Sequence, residues 1–202
     1  MKKILQICLA FLLCVGLVGC GGKTMGEPQK VVSDMLNSYK NQDFDALNKY
    51  FNDTISFTKD LTFDGQLEFV NSDTTKMFLE RLCDIDFEIV NEKIDEANNT
   101  ARVGVKITSH NISEKLLEGV KDAVSKAVSI SFSETDPEEI AKQVFGALLE
   151  PVKNSTKSVK TNITVKLVKV NGQWKISTDN LDLLSAITGG FTSITNKLQL
   201  LL

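Results

Sequence analysis

Few side chains in this 202-residue chain could make or break a covalent bond. The thiols come first, because a thiolate is a strong nucleophile; they are Cys8, Cys14, Cys20 and Cys83. The sole histidine, His110, carries the side chain that most readily moves a proton near neutral pH. It stands at the expected end of a strand, just before a helix cap, and reads as a solvated loop residue; the alternative is a proton-transfer role. Asp84 and Asp86 flank a strand start. They could serve as a catalytic pair of carboxylates, but solvated or capping roles fit them better. Asp45 and Asp53 lack the spacing of a calcium loop. The chain contains no H-E-x-x-H, C-x-x-C, G-x-S-x-G or glycine-rich phosphate loop. Gly21-Gly22 and Gly189-Gly190 are isolated pairs. The sequence therefore assigns no catalytic, metal or cofactor-binding residue and implies no cofactor.

The reactive position is Cys20, and the segment around it says why. Met1-Lys2-Lys3 is a short positive start, followed by an apolar run from Ile4 to Val18 that only Gln6 and Gly16 interrupt. The run is shorter than the ~20 apolar residues that span a bilayer core, and its layout is that of a secretory signal. Leu17-Val18-Gly19-Cys20 resembles the lipobox of bacterial lipoproteins. That resemblance implies that the Cys20 thiol accepts diacylglycerol and that the chain is cut just before it. The alternatives are a transmembrane anchor or an ordinary secretory signal cut elsewhere. The expected organisation is a signal peptide over 1–19 and a lipidated tether over 20–27, with the protein held at the extracytoplasmic face of the cell membrane. Two acyl chains suffice for stable anchoring where one does not. Cys8 and Cys14 leave with the signal, so Cys83 stands alone and no internal disulfide can form. Cys83 follows Leu79 and Leu82 in a helical pattern and reads as a small buried hydrophobe. Asn52-Asp53-Thr54 fits the glycosylation pattern, a chance match in a chain with a lipobox.

Without Lys2 and Lys3, the 23 basic residues fall by two against 26 acidic ones, a net charge near −5. Such a balance opposes nucleic-acid binding and long-range attraction to a bare anionic membrane. The membrane is then met through the anchor on Cys20, and any further partner is a protein or an apolar ligand.

Helical periodicity opens the domain. Pro28 sits in the first turn, and Val31, Val32, Met35, Leu36 and Tyr39 follow on one face. Asp43 can cap a second short helix in which Phe44, Leu47 and Tyr50-Phe51 form the apolar face. The segment from Asn52 to Val70, with Ile55, Phe57, Leu61, Phe63, Leu67 and Phe69, is a strand and loop or a lid. Ser72 or Asp73 starts a helix with Met77, Phe78, Leu79 and Leu82. The period then becomes two: Phe87 and Ile89, a turn at Glu96-Ala97-Asn98-Asn99, then Ala101, Val103, Val105 and Ile107. Asn111 with Glu114 makes a capping-box pair for a helix with Leu116, Leu117, Val120, Val124, Ala127 and Val128 on one side. Asp136-Pro137 starts another, carrying Ile140, Val144, Phe145, Leu148 and Leu149. Asn171-Gly172 is a two-residue hairpin turn that pairs Val170 with Gln173, Lys169 with Trp174 and Leu167 with Ile176. Trp174 reads as a core or edge aromatic packed by Lys169 rather than a ligand platform. Asp179 can cap a closing helix that Gly189-Gly190 ends.

Together these elements predict an α+β fold over 28–190, with an antiparallel sheet, N-terminal helices, a helical insertion over 111–152 and an apolar tail over 191–202; that the sheet is curved and packed on the N-terminal helices, cone-like, is what the following resemblance implies. The segment from Val31 to Phe51, with its Tyr39–Leu47 junction, and the late hairpin from Val168 to Ile176 resemble small lipoproteins whose domain is similar to nuclear transport factor 2 and the SnoaL-type cyclases. The resemblance implies a cone in which enzymes of that superfamily place an Asp, His or Tyr. The expected function is a non-catalytic binding or interaction module at the cell surface. The alternative is a small-molecule isomerase, cyclase or dehydratase working inside the cone. An empty cone with ionisable groups at its mouth favours the enzyme; a filled apolar one favours the module.

Overall fold

The structure, a computed structural model, describes residues 25–53, 72–130 and 136–192. The signal with Cys20, the ambiguous segment with Ile55 to Phe69, the break at 131–135 and the tail from 193 lie outside the described residues.

The first helix, α1 (Glu27–Lys40), begins at Gly26, whose N–H donates to Gln29 Oε1 at 3.2 Å, with Pro28 in the first turn. Its apolar spacing puts Val32, Met35, Leu36 and Tyr39 on one buried face. Asp43 caps the short α2 (Phe44–Leu47) by accepting from the Ala46 N–H, and a 3-10 turn, Asn48–Tyr50, follows. Helix α3 (Ser72–Cys83) buries Phe78, Leu82 and Cys83.

Four strands form one antiparallel sheet in sequence order: β1 (Asp86–Asp95), β2 (Thr100–His110), β3 (Lys157–Val170) and β4 (Gln173–Ile176). The period of two sorts the side chains. Ala101, Val103, Val105, Ile107, Val165, Leu167, Trp174 and Ile176 are buried on one face, while Arg102, Lys106, Lys160, Thr164 and Lys166 are exposed on the other. The late hairpin has the expected register, and its turn residues have φ of 51° at Asn171 and 82° at Gly172. Trp174 is 5% exposed, with Lys169 Nζ 5.2 Å from its ring centroid.

Helix α1 packs across β1, β2 and β4, and the closing helix α6 (Leu181–Ile187) packs on β2 and β3. The space between α1 and the sheet is filled by side chains. Val32, Met35, Leu36 and Tyr39 face Val103, Val105 and Ile107, all 0–1% exposed and all in one cluster. The Tyr39 hydroxyl, buried among them, lies 2.9 Å from the Leu82 carbonyl and 3.2 Å from that of Ile187, which ties α1 to α3 and α6. Burial pushes the neighbouring Cys83 thiol up to about 12, so it is an inert part of the core, as its spacing indicates.

The insertion between β2 and β3 holds α4 (Ile112–Ile130) and α5 (Pro137–Leu149), then a 3-10 turn, Glu150–Asn154. Asp136 caps α5 by accepting from the Glu138 N–H. The apolar stripe expected on α4 needs correction. Ile112, Leu116, Gly119 and Ala123 are buried, whereas Leu117, Val124 and Val128 are 55%, 58% and 59% exposed. The reason is Gly119: a Cβ there would lie 2.0 Å from the Leu148 carbonyl oxygen. The two helices come closest at Gly119, and Leu117, Val124 and Val128 are turned away.

Two caps also differ. The Asn111 carboxamide does not close a capping box; its Nδ2 donates to Glu114 and its Oδ1 accepts from the Thr156 N–H. Asp179 does not cap α6, which starts at Leu181 with Asn180 in the N-cap position; the Asp179 carboxylate pairs with Lys166 at 3.1 Å. Phe191, the first residue of the expected tail, is 1% exposed and packs edge-on against Phe78, 5.7 Å between centroids.

Candidate functional site

One end of the sheet gathers the chemistry-bearing residues. There β2 ends, α4 starts, β3 begins and α6 stops. His110, the last residue of β2, is 4% exposed and not a solvated loop residue. The strand carries its ring inward, where Ser155 and Asp84 meet it from either side. Nδ1 lies 2.9 Å from Ser155 Oγ, and Nε2 lies 2.9 Å from Asp84 Oδ2. An ionised carboxylate can only accept, so Nε2 carries a proton and, in that tautomer, Nδ1 accepts a hydrogen bond from the Ser155 hydroxyl.

Asp84 is more than a solvated terminus. Its other oxygen accepts from Lys157 Nζ at 2.6 Å, and Lys157 also reaches Asp86 Oδ2 at 3.2 Å. The Lys157 ammonium, and after it the His110 ring, hold the Asp84 carboxyl below its ordinary value despite some desolvation. The same contact raises Lys157 above its own. The two aspartates thus share a lysine rather than a proton.

Ser155, His110 and Asp84 are the residue types of a nucleophilic triad. The Ser155 N–H donates to the Val152 carbonyl at 2.9 Å, and the Thr156 N–H donates to Asn111 Oδ1 at 2.8 Å. The backbone N–H groups of Ser155 and Thr156 are therefore both engaged within the fold. Ser155 is itself 6% exposed. The arrangement clamps the end of α3, the end of β2 and the entry to β3 to one another.

Beside this clamp lies a cleft of about 440 Å³ between the start of α4, β3 and α6. Val159, Ile163 and Ala186 give it apolar wall, and Ser113, Ser185, Glu114 and Asp182 give it polar groups. Asn111 belongs to both cleft and clamp. The Ser113 N–H donates to the Gly189 carbonyl at 3.1 Å, which holds α4 against the end of α6 and fixes the cleft's width. Its charged lining residues are both acidic, so it suits a small ligand with an apolar body and hydroxyl or cationic groups.

Of the residues singled out in the sequence, the structure brings His110 and Asp84 into contact and joins Asp86 to them through Lys157; Trp174 and Asp45 are elsewhere. Ser155, Lys157 and the cleft hydroxyls were missed. Ser155 follows His110 by 45 residues, across the whole helical insertion, and no local pattern marks it. Among the described residues, no group of three or more His, Cys, Asp or Glu could hold a metal ion, and no helix is long and apolar enough to cross a membrane.

No family model matches the chain, and no curated protein matches it. One solved structure is similar in fold. It is a candidate lipoprotein, ycdA, from Bacillus subtilis subsp. subtilis strain 168, with a TM-score of 0.50 and 18% identity. The likeness covers 79% of this chain and 55% of that one, so the chain spans about half the length of its structural neighbour. It supports the α+β architecture; at this identity it shows fold alone.

Proposed function

We propose that the chain is an exported lipoprotein, anchored through diacylglycerol on Cys20, whose domain is a non-catalytic binding or interaction module at the cell surface. The organisation proposed is a signal over 1–19, a tether over 20–27, the domain over 28–190 and an apolar tail beyond it. The observation that carries the module reading is the filled interior. Residues of α1 and β2 that would line an open cone are 0–1% exposed and pack on one another. An isomerase, cyclase or dehydratase working there would need room for substrate beside an ionisable group. Tyr39, the ionisable group that α1 places inside, spends its hydroxyl on backbone carbonyls. The domain is then akin in plan to the nuclear transport factor 2-like cone, with the cone closed by its own side chains. The lipobox supports the anchor, and the similar fold of a candidate lipoprotein agrees with it. Recognition then falls to surface features, the cleft between α4, β3 and α6 among them.

Cells carrying the wild-type chain or Cys20→Ser, grown with labelled palmitate, test the anchor. The wild-type chain takes label and stays with membranes, and the Ser variant takes none. Label on the Ser variant would remove Cys20 as the lipid acceptor.

A further inference from the structure

We infer that the open face of the sheet lies against an anionic membrane surface, through a row of basic residues next to the point where the tether leaves the domain; this rests on the anchor proposed at Cys20. The register puts Lys93 opposite Arg102 and Arg102 opposite Lys166, so three basic side chains stand side by side on neighbouring strands. All three are exposed, and all point away from the packed helices. Like charges directly opposite one another destabilise a sheet, so the row works against the fold that carries it. Lys106 and Lys160 stand on the same face. Asp86, Glu88 and Asp95 share that face from β1. Glu88 answers Lys106 at 3.2 Å, Asp179 answers Lys166 at 3.1 Å and the Lys93 charge acts on Asp95, so the positive excess of the row rests on Arg102. The chain as a whole is acidic, so this face is positive by segregation and not by composition.

The exit of the tether supplies the second observation. Gly26 lies against Glu92, so closely that a Cβ on it would overlap the Glu92 carboxylate. Glu92 precedes Lys93 on β1. The chain therefore enters the domain at the β1 edge, on the packed side of the sheet where Glu92 stands opposite Val103, one residue along the strand from Lys93 on the open side. Six residue steps separate Cys20 from Gly26, a reach of about 20 Å at full extension. A bilayer anchored at Cys20 is thus within reach of that edge, and a tethered surface meets its ligand at high effective concentration. Anionic headgroups offer the complementary charge, and flat contact suits a sheet face whose centre is Gly104 beside Thr164. The acidic cleft is lined from the opposite side of β3, by α6, and stays open to solution.

The test uses the lipidated mature chain, purified from membranes, checked by mass for diacylglycerol, and reconstituted in two kinds of vesicle. One is phosphatidylcholine alone, the other an equimolar mixture with phosphatidylglycerol. A fluorescent label on Thr164→Cys reports the open face and one on Leu181→Cys reports the helical side; Cys83 is 1% exposed and stays unlabelled. Lipids with a spin-labelled headgroup quench whichever label approaches them. The Thr164 label is expected to be quenched several-fold more in the anionic vesicles. That excess should vanish at molar salt, where the Debye length is about 3 Å. It should also vanish in Lys93→Gln/Arg102→Gln/Lys166→Gln, whose fold a circular-dichroism melt confirms. Equal quenching in the two vesicles, a triple variant that behaves as wild type, or quenching at Leu181 instead overturns the orientation while leaving the anchor intact. A purified chain without diacylglycerol overturns the anchor itself, and the two failures are read separately.

Discussion

His110 Nε2 donates to Asp84 Oδ2 at 2.9 Å, across a span of 26 residues, and this bond joins the end of β2 to the end of α3. Lys157 closes on the other Asp84 oxygen from β3. The group is a charged clamp at the sheet's end, and its protonation states feed into stability.

The Asp84 carboxyl is held below its ordinary value of 3.8, chiefly by Lys157. A depressed carboxylate stabilises the fold fully above the unfolded value and loses that contribution as pH falls through the folded one. Lys157 is raised above 10.5, so its share is present below that value and is lost as pH rises through the folded one. Asp84 is 46% exposed, which limits the ion pair to about 1 kcal/mol or less. Asp84→Asn should lower the neutral-pH melting midpoint modestly and flatten its decline in acid. Melts of the fragment from Lys23 onward, taken down through the aspartate range, check this. An unchanged acid slope would take Asp84 out of the linkage.

Two glycines in the helical insertion should respond in opposite directions. A Cβ at Gly119 would meet the Leu148 carbonyl oxygen at 2.0 Å, whereas one at Gly146 meets nothing within 4 Å. Gly119→Ala must push α4 and α5 apart, an overpacking that costs about 1–3 kcal/mol. Gly146→Ala gains helix propensity without a clash and should stabilise by about 0.5–1 kcal/mol. Denaturant midpoints of the two variants should therefore move apart on either side of wild type. The same sign for both would refute the close crossing.

The late hairpin contributes to the core and is not an appendage. Trp174 is 5% exposed, and its truncation to Ala should cost about 3–5 kcal/mol. Asn171 and Gly172 both have positive φ, and placing Ala at both costs about 1–2 kcal/mol per residue. Thermal melts of each variant give the comparison. Two unchanged midpoints would detach the hairpin from the cooperative unit.

Phe191 divides the apolar end of the chain. It is buried against Phe78, so Phe191→Ala should destabilise by about 3–5 kcal/mol. Truncation after Thr192 leaves that packing in place and should lower the melting temperature less than Phe191→Ala does. A truncation as damaging as the substitution would show that residues beyond 192 belong to the core as well.

Local chemistry alone determined the elements whose signals are local. Pro28, Asp43 and Asp136 mark helix starts through bonds or constraints that span a few residues. Asn171-Gly172 determines the register of β3 and β4 because both residues accept positive φ, and alternation tells which face of β2 is buried. The stretch that resembles a lipobox, Leu17 to Cys20, is likewise a contiguous string, which is why Cys20 could be singled out. What the tertiary structure decided depends on residues far apart in the chain. The burial of His110 requires Ser155 and Asp84 to arrive from either side. The face that α4 buries depends on the Leu148 backbone meeting Gly119, and apolar periodicity misplaces it because a glycine carries no hydrophobic signal. Asn180 clamps both the N–H and the carbonyl of Lys166, an edge-pairing role that its type does not announce. The basic row exists only once register sets Lys93, Arg102 and Lys166 side by side, since net charge averages over faces that the pleat of a sheet separates.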